Sequence, residues 1–451
     1  RGTTIRGAEL NLSPGLFIFD VTAGRLNRSV IGRISEDARR PSFERWIYGL
    51  KLGVGYEEKT HFTLSGFYGE DQRDSLPDSV KTVGYGAGRL NPPSENLGLT
   101  PKFQVSLFDE VFKIGAETTV SAFTRDITSP AISADEAEIP SFLTDLFTPR
   151  SSTRITYAGV AHTTFEFQQF QLMTQFERIM PGFESMGVRQ LRDDQQTISV
   201  NPSFQLFDRR WTFDGTFSIS EDNLLDNRLS TQTRQNINFN SRVRITETVM
   251  LGFGYTRFNT NTSSEEGTAQ GDFNQLSQVF QLFPAFTITS GSKTHNLSLT
   301  GIYQAMNVEF PMQGGIREDE SSTITGAVSY TLTFSSGLSL NGATNAVFGE
   351  APDSDFTTLG ASAGAGYVLL NQKLNLNLTV NASRNEFERS VANRITTNSF
   401  LQVNGSFVAT YRLTDSNSLR FNLRSNKNTV LEGGGQGFSE LEARLQFRQR
   451  F

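Results

Sequence analysis

Gly360-Ala361-Ser362-Ala363-Gly364 has the spacing of a nucleophile elbow, which holds a serine on a sharp strand-to-helix turn within reach of a histidine and an acid. The residues around it alternate apolar and polar, with no helical stretch after them, so the pattern reads as small residues within a strand. The chain has only three histidines, His61, His162 and His295, far apart in sequence, and no cysteine. Thiolate nucleophiles, disulfides and cysteine metal sites are therefore absent, and no histidine cluster is available for a metal or a proton relay. Gly433-Gly434-Gly435-Gln436-Gly437 lacks the Gly-Lys-Ser/Thr ending of a phosphate-cradling loop and reads as a hairpin connection. Asp135-Glu136-Ala137-Glu138, Glu318-Asp319-Glu320 and Asp353-Ser354-Asp355 offer the hard oxygens that suit Ca²⁺, but solvated loops have the same composition, and no metal ligand is assigned. The arginines are the better candidates. Arg242 with Arg244, Arg420 with Arg424, and Arg444 with Arg448 and Arg450 sit at even spacing, as Arg412 does with the polar residues of its own segment. Each set thus lies on one face of a strand. Rows of fixed positive charge on a low-dielectric wall favour anionic solutes, and pairing with Asp or Glu on neighbouring strands is the competing use.

The elements that hold these residues must be strands. Phe occurs 38 times against 2 Trp and 10 Tyr, yet mean hydropathy is −0.33, so apolar side chains are dispersed singly among polar ones. The longest apolar runs, near Leu16–Phe19 and Tyr367–Leu370, fall far short of the roughly 20 residues of a membrane helix. A net charge of −6 with scattered Lys and Arg gives no nucleic-acid footprint.

Alternation of period two runs through the chain. Leu374, Leu376, Leu378, Val380 and Ala382 interleave with Asn375, Asn377, Thr379 and Asn381. Leu401, Val403, Phe407, Ala409, Tyr411 and Leu413 interleave with Gln402, Asn404, Ser406, Thr410 and Arg412. Such strands have one apolar and one wet face, and are predicted to run for roughly 10 to 16 residues. Short turns are predicted near residues 13–14, 57–59, 109–110, 168–169, 208–210, 246–247, 290–292, 335–337, 371–373 and 415–417. Longer polar loops are predicted at 27–43, 72–95, 126–152, 181–194, 221–229, 261–273, 308–320, 350–355, 388–396 and 429–437. Short turns on one side and long loops on the other are the asymmetry of an outer-membrane barrel.

The final segment, Leu441-Glu442-Ala443-Arg444-Leu445-Gln446-Phe447-Arg448-Gln449-Arg450-Phe451, carries the same alternation and closes on an aromatic residue. It resembles the terminal strand of Gram-negative outer-membrane β-barrel proteins, porins among them. In those proteins the strand's end is read by the assembly machinery, a role the resemblance places on Phe451, Phe447 and Leu445. The resemblance implies an all-β transmembrane antiparallel barrel of about 20 to 22 strands. Residues 1–451 form a single barrel domain in this reading, with short periplasmic turns and longer extracellular loops. The expected function is a channel for hydrophilic solutes, with no catalytic activity and no cofactor. The alternative is a scaffold or secretion-type barrel whose lumen another segment or subunit plugs or gates. Outer-membrane lipid, lipopolysaccharide and the barrel assembly machinery are the implied partners. In loop 126–152, Ile139, Phe142, Leu143, Leu146 and Phe147 recur at helical spacing, with Pro149 as a stop. A short amphipathic helix there would narrow the lumen, face a protein partner or pack on the rim. Ten turns and ten loops separate an odd number of strands, so the first and last run in the same direction. A further strand upstream of Arg1 is therefore expected between them.

Overall fold

The computed structural model describes residues 5–31, 41–77, 92–133, 135–136, 147–188, 192–264, 272–312, 315–391, 394–414 and 416–449. These contain 21 strands in one antiparallel sheet and a single 3-10 turn, Arg73–Ser75. In chain order the strands begin with β1 (Arg6–Leu12), β2 (Phe17–Asn27), β3 (Glu44–Gly55), β4 (His61–Gln72), β5 (Glu95–Leu107), β6 (Phe112–Thr124) and β7 (Thr153–Phe167). They continue with β8 (Phe170–Ile179), β9 (Gln195–Leu206), β10 (Trp211–Asp222), β11 (Ser230–Arg244), β12 (Val249–Ser264), β13 (Phe273–Ser290) and β14 (Lys293–Met312). The last are β15 (Gly315–Phe334), β16 (Leu338–Ala351), β17 (Ser354–Leu369), β18 (Leu374–Val391), β19 (Arg394–Arg412), β20 (Asn417–Glu432) and β21 (Phe438–Gln449). Two compact units divide the chain: 1–201 with 218–233, and 202–217 with 234–451. No described helix is long and apolar enough to cross a membrane.

Within each unit, strands adjacent in sequence pair antiparallel, and the register lines up their apolar faces. In the first unit a single row of partners runs Leu10, Val21, Leu50, Gly66, Leu99, Val120, Tyr157 across β1 to β7. In the second, Leu340, Ala365, Leu378, Phe407, Leu423 and Ala443 form such a row across β16 to β21. A slip of one residue in any strand would put that strand's apolar residues on the wet face, so the alternation fixes the register. The rows are exposed or half-buried: Leu50 keeps 44% of its accessible surface and Leu378 50%, while Val21, Phe407 and Leu423 are half-buried. The buried apolar side chains among the described residues are few, and all belong to the first unit. An apolar face of this extent far exceeds the few hundred Å² that a water-soluble monomer exposes.

All ten predicted short turns join the strand pairs expected of them. Three share one backbone: Phe108-Asp109-Glu110, Phe207-Asp208-Arg209 and Leu370-Asn371-Gln372 each hold three successive left-handed residues around a central Asp or Asn. Asp and Asn are among the few side chains that tolerate this region. The opposite side differs between the units. Connections at 28–43, 73–94, 125–152 and 180–194 are long. The expected loops at 308–320, 350–355 and 388–396 are instead mostly strand: β14 and β15 pair as far as Met312 and Gly315, β16 and β17 to Ala351 and Ser354, and β18 and β19 to Val391 and Arg394. Their polar residues remain in the period-two pattern, and a paired backbone satisfies its own hydrogen bonds in water as well as in lipid. Strands of 18 to 20 residues follow in β13, β14, β15, β18 and β19, about twice the 9–11 residues that span a bilayer.

Candidate functional site

The wet face of β18 to β21 carries the arginines, and the register decides which of them meet. Thr410 on β19 pairs with Arg420 on β20, which faces Gln446 on β21. Two pairs closer to the turns, and so again on the wet face, Arg412 faces Ser418 and Ser418 faces Arg448. Arg412 and Arg448 therefore flank one small hydroxyl at two strand spacings, roughly 10 Å between backbones. Lys373, in the turn before β18, joins them because its carbonyl accepts the Arg412 N–H at 2.7 Å. These four cations, with Asn375, Asn377, Thr410, Ser416 and Ser418, line an open cleft of about 600 Å³ at the turn-side end of the wet face. All four are exposed, and no carboxylate lines the cleft among the described residues. At an effective dielectric of about 20, two unit charges roughly 10 Å apart repel by about 1.7 kcal/mol. Solvent and salt reduce this further, so the fold carries the cluster cheaply and keeps a local positive field.

Lysines near the turns of the first unit are arranged differently. Lys59 lies 2.7 Å and Lys113 3.3 Å from Glu110, and Lys51 pairs with Glu57 and Asp20. Hydrogen bonds from Lys59 and Lys113 hold the Glu110 carboxyl below the usual carboxylate range. Positive charge is neutralised there and left open in the cleft.

The other predicted arginines do not gather. Arg424 lies farther along β20 opposite Glu442, and Glu442 is engaged by Arg444 on its own strand. Arg242 and Arg244 are exposed at the end of β11 next to its short turn and do not line the cleft. Arg450 and Phe451 lie outside the described residues; Leu445 and Phe447 stand exposed on the apolar face of β21. Of the loop-helix set, Ile139, Phe142, Leu143 and Leu146 lie outside the described residues, and Phe147 is buried without helical structure. Ser362 of the elbow-like pattern sits inside β17 between Ala343 and Asn381. Asp319 pairs with Arg317 at 2.8 Å, and Glu136 accepts from Ser133.

A second wet-face feature was missed by sequence reasoning. Residues 180–188, after β8, fold onto the wet face of β4 to β6 within the first unit. Asn96 of β5, fully buried, donates to Ser121 Oγ at 2.7 Å and Ala122 O at 3.0 Å, and its Oδ1 accepts from Met186 N at 2.9 Å. Ser121 in turn donates to Glu184 O at 2.7 Å, and Arg125 grips the Glu184 carboxylate through two nitrogens. Phe183 and Met186 are buried, and Met186 Sδ would lie 2.9 Å from a Cβ at Gly69, so a side chain there would make Met186 shift. Beneath the segment Phe67, Thr100, Glu117, Thr119 and Val160 line a smaller cavity of about 300 Å³.

No family model matches the chain, and no curated protein matches it. Among solved structures it is similar to OccK8 (OprE) of Pseudomonas aeruginosa, at 10% identity and a TM-score of 0.34, covering 89% of this chain and 98% of that one. It is similar to OccAB4 of Acinetobacter baumannii at 11% identity and 0.32, covering 90% and 98%. It is also similar to the siderophore receptor PirA of Acinetobacter baumannii at 10% and 0.31, covering 94% and 76%. At these identities and scores the functional reading rests on the residues themselves.

Proposed function

We propose that the chain is a bacterial outer-membrane β-barrel that passes hydrophilic solutes. The carrying observation is the sheet's two faces: apolar rows, exposed or half-buried, on one, and Asn, Ser, Thr, Gln and Arg on the other. Lipid stabilises so much exposed apolar surface, and a polar face opposite it suits water. In this reading the short turns face the periplasm, lipid and lipopolysaccharide cover the apolar rows, and the barrel assembly machinery inserts the strands. Among the described residues the wet face groups Asn, Ser, Thr, Gln and Arg, a lining that suits a water-filled passage, and transport is the reading it supports. Purified full chain inserted in a planar bilayer is expected to conduct in discrete steps, and neutral sugars are expected to enter liposomes that carry it. Tight seals in repeated insertions of folded protein would defeat the channel.

One observation favours a second reading, a barrel whose lumen is partly occupied. The 180–188 segment is bonded to the wet face through Asn96 and Ser121. If it closes the passage, Asn96→Ala is expected to raise conductance or open-channel noise; unchanged traces would leave the open channel as the better account.

A further inference from the structure

We infer that the cleft at Lys373, Arg412, Arg420 and Arg448 is a binding site for soluble polyanions carrying at least two phosphate or carboxylate groups. Three observations carry the inference. The cations come from four elements, the turn before β18 and strands β19, β20 and β21, and the pairing of these elements brings them together. None of the four has an ion-pair or hydrogen-bond partner for its side chain among the described residues, whereas the turn-side lysines of the first unit are matched by Glu110, Glu57 and Asp20. The cleft between them is lined by small donors, Ser416, Ser418, Thr410, Asn375 and Asn377, which suit oxyanion oxygens and leave room for the ligand.

Ligand size follows from the spacing. Arg412 and Arg448 stand roughly 10 Å apart at the backbone, with Ser418 between them. A monovalent anion bonds well to one guanidinium fork, but a linear polyanion lets both forks engage separate groups at once. Arg420 and Lys373 add charge at either side. The turn-side position makes the site an exit or entry station for such solutes. This role in transport rests on the channel reading, although binding itself does not.

The test measures the two separately. Detergent-solubilised full chain is titrated with inorganic triphosphate by calorimetry at low and high salt, with citrate and orthophosphate in parallel, and the same protein is tested in planar bilayers. One saturable triphosphate site is expected, weakening as salt rises, with orthophosphate weaker by about tenfold or more. Citrate binding as well means recognition of charge and spacing; citrate failing means selectivity for phosphate; both outcomes support the site. Lys373→Gln with Arg420→Gln is expected to weaken binding by about tenfold or more. Both side chains are exposed, so the unfolding midpoint should stay near that of the parent. Arg242→Gln with Arg244→Gln, which removes equal charge outside the cleft, should leave binding unchanged. Absence of saturable binding, or equal loss in both double variants, overturns the inference. Binding by a protein that seals the bilayer keeps the site and removes the channel; conduction without binding keeps the channel and removes the site.

Discussion

Asn96 shows how one residue joins sheet chemistry to the placement of a loop. It is fully buried on the wet face and satisfies both ends of its amide, toward Ser121 and Ala122 on β6 and toward the Met186 N–H of the folded-in segment. Truncating it leaves the Met186 N–H and the Ser121 hydroxyl short of a partner, at about 1–3 kcal/mol. Asn96→Ala is therefore expected to lower the unfolding midpoint in detergent and to expose 180–188 to limited proteolysis; protection as complete as in the parent would mean that Phe183 and Met186 hold the segment unaided. The sequence offered a faint signal for this arrangement. In Met180-Pro181-Gly182-Phe183-Glu184-Ser185-Met186-Gly187-Val188 large apolar residues sit in a loop with no periodicity, and exposing them to water is costly. Nothing in their spacing, however, names the strands they cover. Lys373 was equally hidden: as a turn residue it belongs to no strand face, and only the Arg412 N–H bonded to its carbonyl brings it beside the arginines.

At the scale of strands and turns, period two made the architecture legible. It located the ten short turns and the number of strands, because each strand's hydrophobic set must stay on one side. The limits of the strands on the loop side were not legible. Polar residues such as Glu318, Asp319 and Glu320 suggested a loop, yet they pair with Glu309, Val308 and Asn307 in β14, since the ladder's hydrogen bonds are made by the backbone whatever the side chains. The faces lead to a paired test. Leu378 sits mid-row among Ala365 and Phe407, while Asn377 next to it points to the wet side opposite Gly366 and Val408. Leu378→Arg is expected to cost about 2–4 kcal/mol in lipid, and Asn377→Arg close to nothing, as read by unfolding in liposomes; equal costs would remove the assignment of faces. The turn leading to Lys373 makes a second test possible. Asn371 has φ 55° between two other left-handed residues. Asn371→Val puts a β-branched side chain there at about 1–2 kcal/mol, and is expected to lower stability and weaken polyanion binding together.

For the whole molecule the question is what an unbalanced charge distribution does to ion flow. The chain carries −6 overall, so its mean field would favour cations. In the proposed channel, conduction would be governed instead by the charges lining the path, and the Lys373, Arg412, Arg420 and Arg448 cleft is a positive station on the wet face with no lining carboxylate among the described residues. A fixed charge acts over about one Debye length, which shrinks from about 30 Å at 0.01 M salt to about 3 Å at 1 M. Anion preference from the cleft should therefore be strong in dilute salt and nearly vanish in concentrated salt, whereas a preference set by pore width would persist. Reversal potentials across a fixed KCl gradient, repeated at rising mean concentration, are expected to move from anion-selective toward zero. Replacing Arg412, Arg420 and Arg448 together by Gln should make the dilute-salt value less anionic and leave the concentrated-salt value where it was. If the triple variant retains the parent's anion preference in dilute salt, the selectivity arises elsewhere on the wet face. The exposed Arg242 and Arg244 of β11 are then the next residues to neutralise.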